Sequence, residues 1–160
     1  MPEVTYREAT LAEAEAGARL HLTCWREGYA PYVDPGLLEA RLADPLPWIE
    51  GWRRSIEHGT GRLLAFADRE PIGFIAVGRP RDIDTEHELY ALYVRRAWWG
   101  TGVGQELLER RLFPGSCALW VLESNARARA FYARNGFVAQ GDREFYDLLD
   151  VWQVRMVRPD

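Results

Sequence analysis

Glycines occupy alternate positions in Gly100-Thr101-Gly102-Val103-Gly104-Gln105, between an apolar run that ends at Val94 and an amphipathic run that begins at Gln105. A glycine has no Cβ, so its backbone N–H can approach an oxyanion closely. A helix N-terminus adds about half a positive charge. A strand that delivers such a loop onto a helix end is a device for holding phosphate. A second, independent signal is Ser124-Asn125-Ala126-Arg127, followed by Phe131-Tyr132 and Asn135-Gly136-Phe137. It sets a carboxamide and a phenol on one short helical stretch. A third is Glu88, an acid at the head of the run Leu89-Tyr90-Ala91-Leu92-Tyr93-Val94. Period-two alternation predicts that Glu88, Tyr90, Leu92 and Val94 share one strand face. Burial favours the neutral form of an acid on such a face, which suits a group that must accept a proton. Asp84, Glu86 and His87 lie close enough in sequence to take its place.

Other chemistries lack their residues. The chain has no Lys among its 20 basic residues, which excludes a P-loop nucleotide site. A Ser/His/Asp set, carboxylates at glycosidase spacing and metal-ligand clusters are missing, so no metal is expected. A net charge of −4 argues against a nucleic-acid binder. No apolar run reaches the roughly 18 residues of a membrane span, and the N-terminal residues do not read as a signal peptide. Cys24 and Cys117 are far apart and outside any CxxC, so they read as reduced thiols of a cytoplasmic protein. At 160 residues the chain is expected to form one domain.

The elements that must position these groups follow from periodicity and caps. Residues 4–7 alternate as a short strand. Thr10 and Glu13 form a capping-box pair for a helix through Leu11, Ala14, Ala18 and Leu22 to about Glu27, ending before Gly28. Short helices are expected over 36–42 and 48–57. Strands follow over 62–67, 72–78 and 86–94, with a turn at Asp68-Arg69-Glu70-Pro71. The glycine loop opens a helix over 103–113, and 117–122 is a buried strand. Ser124 caps a helix to Asn135 with Gly136 just beyond it, and 137–139 and 152–157 are closing strands. This order predicts an α/β (α+β) domain, a mixed sheet with helices on both faces.

The glycines admit two other readings. A Rossmann loop for NAD requires GxGxxG at the very end of a strand. Here Gln105 stands where the third glycine should fall, and residues 95–99 separate strand from loop, although Glu123 is placed as a ribose-binding acid would be. The plainer alternative is a glycine-rich turn with no ligand.

Taken together, residues 89–94, the loop 99–104 and the segment 125–137 resemble the GNAT superfamily of acyl-CoA N-acyltransferases, in family order and spacing. The resemblance covers residues 62–157. Trp99 stands where the family pattern has Gln or Arg, so the glycine pair of that pattern falls on Gly102 and Gly104. Arg95-Arg96 replaces the usual proline after the fourth strand. The resemblance implies a mostly antiparallel mixed sheet of about 6–7 strands with splayed fourth and fifth strands. Acetyl-CoA, the co-substrate, would enter between them. Its pantetheine would pair with the backbone of Leu92, Tyr93 and Val94 and with Asn125, which is equally a respectable cap. Its pyrophosphate would lie on the N–H groups of Gly100, Thr101, Gly102, Val103, Gly104 and Gln105. Tyr132 matches the family tyrosine that lines the cofactor and protonates the leaving thiolate. Glu88 sits at the offset of the catalytic glutamate in the histone-acetyltransferase branch. The oxyanion would be held by a backbone N–H near Tyr93.

By the same resemblance residues 1–60 supply the acceptor side. There Trp25, Tyr29, Tyr32, Trp48 and Trp52, with Asp34, Asp44 and Glu50, suit an amine. The expected activity is acetyl transfer from acetyl-CoA to the primary amine of a small molecule or peptide, with neither nucleic acid nor membrane as partner. A catalytically silent acyl-CoA sensor on the same fold is the alternative, and a homodimer is left open.

Overall fold

The computed structural model describes residues 2–112 and 114–160. Strand β1 (Val4–Glu8) leads through a 3-10 turn (Leu11–Glu13) into α1 (Ala14–Tyr29), α2 (Pro35–Leu42) and α3 (Leu46–Glu57). Strands β2 (Arg62–Ala67), β3 (Glu70–Gly78) and β4 (His87–Val94) follow, then α4 (Val103–Arg111), β5 (Cys117–Leu122), α5 (Ala126–Arg134), β6 (Val138–Tyr146) and β7 (Val151–Arg158). The seven strands lie in the order β1-β2-β3-β4-β5-β7-β6. All neighbours pair antiparallel except β4 and β5. One parallel pair is not the doubly wound parallel sheet a dinucleotide fold requires, so the NAD reading falls with the topology.

Helices cover both faces. Leu63, Ala65, Ile75, Val77 and Leu89 pack under Val103, Leu107 and Leu108 of α4, with Tyr132 of α5 and Phe137 beyond it. Leu64, Phe66, Phe74 and Ala76 pack on the other face under Ala14, Ala18 and Cys24 of α1 and Ile49 and Trp52 of α3. Gly17 lets α3 approach α1 closely, because a Cβ there would fall 2.2 Å from the Trp52 ring.

Several boundaries differ from the sequence expectation for local reasons. The Thr10–Glu13 capping box forms, but the first turn is 3-10 and α1 continues through Gly28 to Tyr29. Gly28 does not take the left-handed backbone that would end a helix there. Helix α4 stops at Arg111, where Leu112 turns extended; the expected last residue, Phe113, lies outside the described residues. Helix α5 is capped by Asn125 rather than Ser124, the Asn125 side chain accepting from the Ala128 N–H at 3.1 Å. Strand β6 runs on to Tyr146, well beyond residue 139.

Two features of β4 open the sheet. It pairs with β5 only at His87–Cys117, Glu88–Ala118 and Leu89–Leu119, and the two strands then diverge. At the same point Val77 pairs with Leu89 and Ala76 with Ala91, which leaves Tyr90 as an inserted bulge residue. The bulge overturns the expected grouping of Glu88, Tyr90, Leu92 and Val94 on one face. Glu88 shares the α1–α3 face with Tyr90, Ala91 and Tyr93, whereas Leu92 and Val94 pack against the α4–α5 core.

Candidate active site

The fork between β4 and β5 opens into a cavity of about 890 Å³. The cavity runs from Gly104 and Asn125, past Leu92, Val94 and Tyr132, to Glu88 and to Trp25 and Tyr29 of α1. Backbone direction decides which groups of β4 face it. The Arg95 N–H donates to the Ile72 carbonyl of β3, so alternation turns Tyr93 toward β3 as well. Leu92 and Val94 then turn their N–H and C=O groups toward the fork. Of the three backbone positions expected to meet pantetheine, these two face the opening. Their N–H groups flank Tyr93, where an oxyanion donor was expected.

Trp99 occupies part of this edge. Its indole Nε1 donates to the Val94 carbonyl at 2.8 Å, and the Arg127 guanidinium lies 3.6 Å from its ring centroid. Burial lowers the pKa of Arg127, with a smaller downward push from Arg96. Where the family pattern has a polar side chain, this chain therefore holds an indole that caps one backbone acceptor and carries a cation on its face. Arg95-Arg96, at the place of the family proline, is tied to α1 by Glu27, which accepts from Arg95 Nε at 2.9 Å and from the Arg96 N–H at 3.0 Å.

The glycine loop has the shape its residues imply. Gly100 and Gly102 adopt φ of 75° and 95°, left-handed values that favour glycine. Gly102 caps α4, and the first return bond runs from the Glu106 N–H to the Gly102 carbonyl. The N–H groups of Val103, Gly104 and Gln105 thus lack helical acceptors, as first-turn donors do. The Val103 side chain is core, the Thr101 hydroxyl donates to the Trp98 carbonyl, and the Gln105 carboxamide is engaged by Asn135 and Glu109. These residues can serve an anion through their backbones.

Asn125 caps α5 and keeps one donor unused. Its Oδ1 caps α5, while its Nδ2 makes no hydrogen bond among the described residues and the residue lines the cavity, 7% exposed. An orphaned donor of this kind fits a pantetheine carbonyl. Tyr132 is buried beside Phe131 and Phe137 and also lines the cavity. Burial foremost, then Tyr93, raises the pKa of its phenol, so the O–H stays protonated throughout the neutral range.

Glu88 is 2% exposed and lines the cavity; Asp84, Glu86 and His87 do not. Its Oε1 accepts from the Arg81 N–H at 2.7 Å and its Oε2 from Arg81 Nη2 at 2.6 Å. The acceptor-side aromatics are brought together, Trp25 and Trp48 standing edge-on to His21 and Tyr29 bonding Tyr93 hydroxyl to hydroxyl at 2.7 Å. The acids expected beside them are not at the site. Asp34 caps α2, Asp44 accepts from the Leu46 N–H, and Glu50 pairs with Arg53. Each is spent on its own helix, as short polar side chains near helix starts commonly are.

The sequence reading missed Arg81, which binds Glu88 from the polar link between β3 and β4, and His21, Arg62 and Arg155, which line the cavity. Only Arg155 leaves a legible signal, a charge inside the otherwise apolar run Val154-Arg155-Met156-Val157.

Comparison with known proteins agrees with this geometry. The family model described as Acetyltransferase (GNAT) family matches residues 19–137. A probable N-acetyltransferase of Mycobacterium tuberculosis is 30% identical over 129 residues, 78% of this chain and 74% of that protein. Among solved structures, the PaiA N-acetyltransferase of Thermoplasma acidophilum in complex with coenzyme A superposes with a TM-score of 0.74 at 21% identity, covering 99% of each chain. The YncA protein of Salmonella typhimurium, solved with its cofactor acetyl-CoA, gives a TM-score of 0.70 at 17% identity, over 98% of this chain and 94% of that one. With a family model spanning most of its length and a forked sheet of the matching topology, the chain belongs to the GNAT acetyltransferase family.

Proposed function

We propose that this protein moves an acetyl group from acetyl-CoA to a primary amine by direct attack in a ternary complex. The observation that carries this reading is the fork itself: the inward backbone of Leu92 and Val94, the orphaned Asn125 Nδ2 and the phenol of Tyr132 open into the cavity that Glu88 lines from the acceptor side. Acetyl-CoA would lie with its pyrophosphate on the N–H groups around residues 100–105 and its thioester at the narrow end of the fork, where it supplies the acyl group.

The residues then divide the proton work. An alkylammonium must lose a proton before its nitrogen can attack, and Glu88 receives it, directly or through water. Glu88 Oε1 accepts only the Arg81 N–H and keeps a second lone pair, whereas Oε2 accepts from both Nη2 and Nε of Arg81. The Leu92 or Val94 N–H meets the oxyanion that develops on the acyl carbon. As the C–S bond breaks, Tyr132 donates its hydroxyl proton toward the departing sulfur. Residues 1–160 act as one domain in this scheme, with 1–60 facing the acceptor and 62–157 holding the cofactor. We place it in the cytoplasm, where acetyl-CoA is made.

The test is a calorimetric titration with acetyl-CoA, with NAD as control, followed by an amine panel read by thiol release. Micromolar acetyl-CoA binding without NAD binding is expected. Tyr132→Phe should lower kcat by roughly 10²- to 10⁴-fold while acetyl-CoA affinity stays within about 2-fold. Absence of acetyl-CoA binding would overturn the reading. Binding with no turnover of any amine would make the chain an acyl-CoA sensor.

A further inference from the structure

Arg155 is a buried cation without an anion. It is 5% exposed, on β7, and lines the cavity. Its guanidinium stacks 4.3 Å from the Trp120 ring centroid. Its Nη1 makes a long 3.4 Å bond to the Asp82 carbonyl, and its Nε has no hydrogen-bond partner. No carboxylate pairs with it among the described residues. The cavity's four carboxylates do not supply one: Glu88 is held by Arg81, Glu144 accepts from Gln153, and Asp82 and Asp142 pair with no cation among the described residues. A charge taken out of water without a counter-ion is costly, and folds retain one where something else completes it.

The sheet register places this cation on the face of the reaction. Glu88 pairs with Ala118, Trp120 follows Ala118 on the same face of β5, and Arg155 pairs with Trp120. Arg155 therefore lies on the α1–α3 side of the sheet, the side from which an acceptor meets Glu88, and across the fork from the α4 loop. Arg62, on the same face and lining the same cavity, also has an unpartnered Nη1. It lies on β2, two strands from β4, where its guanidinium is stacked over Trp52 and Phe74 and its Nε is fastened to Ser55.

We propose that the acceptor is a small amine that also bears a carboxylate, an amino acid in the broad sense, and that Arg155 seats that carboxylate while the amine faces Glu88. A guanidinium fork matches a carboxylate with parallel N–H···O bonds. A carboxylate brings one negative charge for one unpaired cation, whereas a phosphate monoester would bring nearly two. This rests on the acetyl-transfer reading for the amine half and on Arg155 alone for the acid half.

The experiment uses matched pairs that differ by a carboxylate: tyrosine and tyramine, lysine and cadaverine, arginine and agmatine. In the wild-type protein, kcat/KM for the carboxylate member of at least one pair should exceed that of its partner by about 10- to 100-fold, the factor a charged hydrogen-bonded contact supplies. Arg155→Met should bring that ratio to within about 3-fold of unity, and Arg155→Lys should give an intermediate ratio, because it keeps a charge and loses the fork. Equal or better use of the decarboxylated amine in every pair overturns the proposal, as does a preference that survives Arg155→Met. Should Arg155→Met fail to fold, the wild-type ratios and Arg155→Lys decide. A second measurement needs no turnover: binding of N-acetyltyrosine against N-acetyltyramine to CoA-loaded protein. Preference for the acid in binding with no acetylation of any amine would sink the acetyl-transfer reading and keep the carboxylate site; no preference in binding sinks the site.

Discussion

Replacing Gly102 with alanine isolates the backbone contribution of the glycine loop. Gly102 caps α4 at φ 95° and ψ −3°. A side chain in the left-handed region brings its Cβ against the following carbonyl, at a cost of roughly 1–2 kcal/mol. A Cβ built at Gly102 meets nothing within 4 Å. No packing is gained or lost, and the whole penalty is conformational. It can emerge in only two ways. If the loop keeps its shape, the native state carries the strain, and Tm falls by about 2–8 °C in a chain of this size. If the residue relaxes to negative φ, the N–H groups of Val103, Gly104 and Gln105 no longer converge. Acetyl-CoA must then restore the strained loop to bind, and its Kd rises by about 5- to 30-fold, the same free energy expressed as affinity.

Scanning calorimetry of the free protein and titration with acetyl-CoA, made on the same variant, separate these routes. Together the two losses should sum to roughly 1–2 kcal/mol. Gly102→Asn is the control, because asparagine tolerates the left-handed region and should lose less by both measures. An alanine variant with unchanged Tm and unchanged acetyl-CoA affinity would refute the assignment. The loop would then neither require that conformation nor hold the cofactor by it.

Two further outcomes follow from burial. His21, enclosed by Trp25, Trp48 and Phe74, is kept neutral: burial foremost and Arg62 second push its pKa well below 6.5. The unfolded chain therefore takes up this proton near pH 6.5 and the native state only far lower, so the contribution is intact above that pH. Below it, stability should fall by about 1.4 kcal/mol per pH unit until the native site protonates. Urea midpoints at pH 7 and pH 5 should differ more for the wild type than for His21→Gln, and equal differences would show that His21 does not stay neutral. Burial likewise pushes the Cys24 thiol up to about 12 and the Cys117 thiol to about 11. A disulfide reagent at pH 8 should label neither in the native protein and both in urea, so thiol-release assays run without background; prompt native labelling would contradict the packing.

What the sequence makes legible here is local. The glycine loop, the Thr10–Glu13 capping box and the strands β2 and β5 are written in contiguous residues, and each is found close to its expected bounds. Asn125 is legible for the same reason, since a cap bonds a neighbour a few residues along the chain. The acceptor side is not local. Asp34, Asp44 and Glu50 look available because an acid's partner cannot be read from its neighbours in a list, yet each is satisfied within its own helix or helix start. Arg81 is invisible for the opposite reason, and Arg155 shows only as a charge in an apolar run: what makes them matter is a strand or link brought beside Glu88 by the sheet order. Trp99 lies between these cases. Its departure from the family pattern is plain in the sequence, but its consequence, an indole capping the Val94 carbonyl under a stacked Arg127, depends on a chain turn that no pattern encodes.

The bulge at Tyr90 joins the failure of one sequence inference to the function. Simple alternation sets Glu88 with Leu92 and Val94, and on an unbroken strand all three side chains would point into the α4–α5 core. There a carboxylate would face Leu107 and Phe131 rather than an acceptor, far from Arg81. One inserted residue changes the phase of the strand, so that Leu92 and Val94 anchor the fork's floor in the apolar core while Glu88 emerges on the α1–α3 face. The same insertion falls at the last pairing of β4 with β5, where a bulged strand bends and its partner is lost. The bend that admits the cofactor thus coincides with the insertion that sets Glu88 out of phase with Leu92 and Val94. Deleting Tyr90 would remove the bend and leave Glu88 on the α1–α3 face, because Leu89, Leu92 and Val94 already alternate with Glu88, Ala91 and Tyr93 once the inserted residue is gone. The deletion therefore separates the opening of the fork from the placement of the acid.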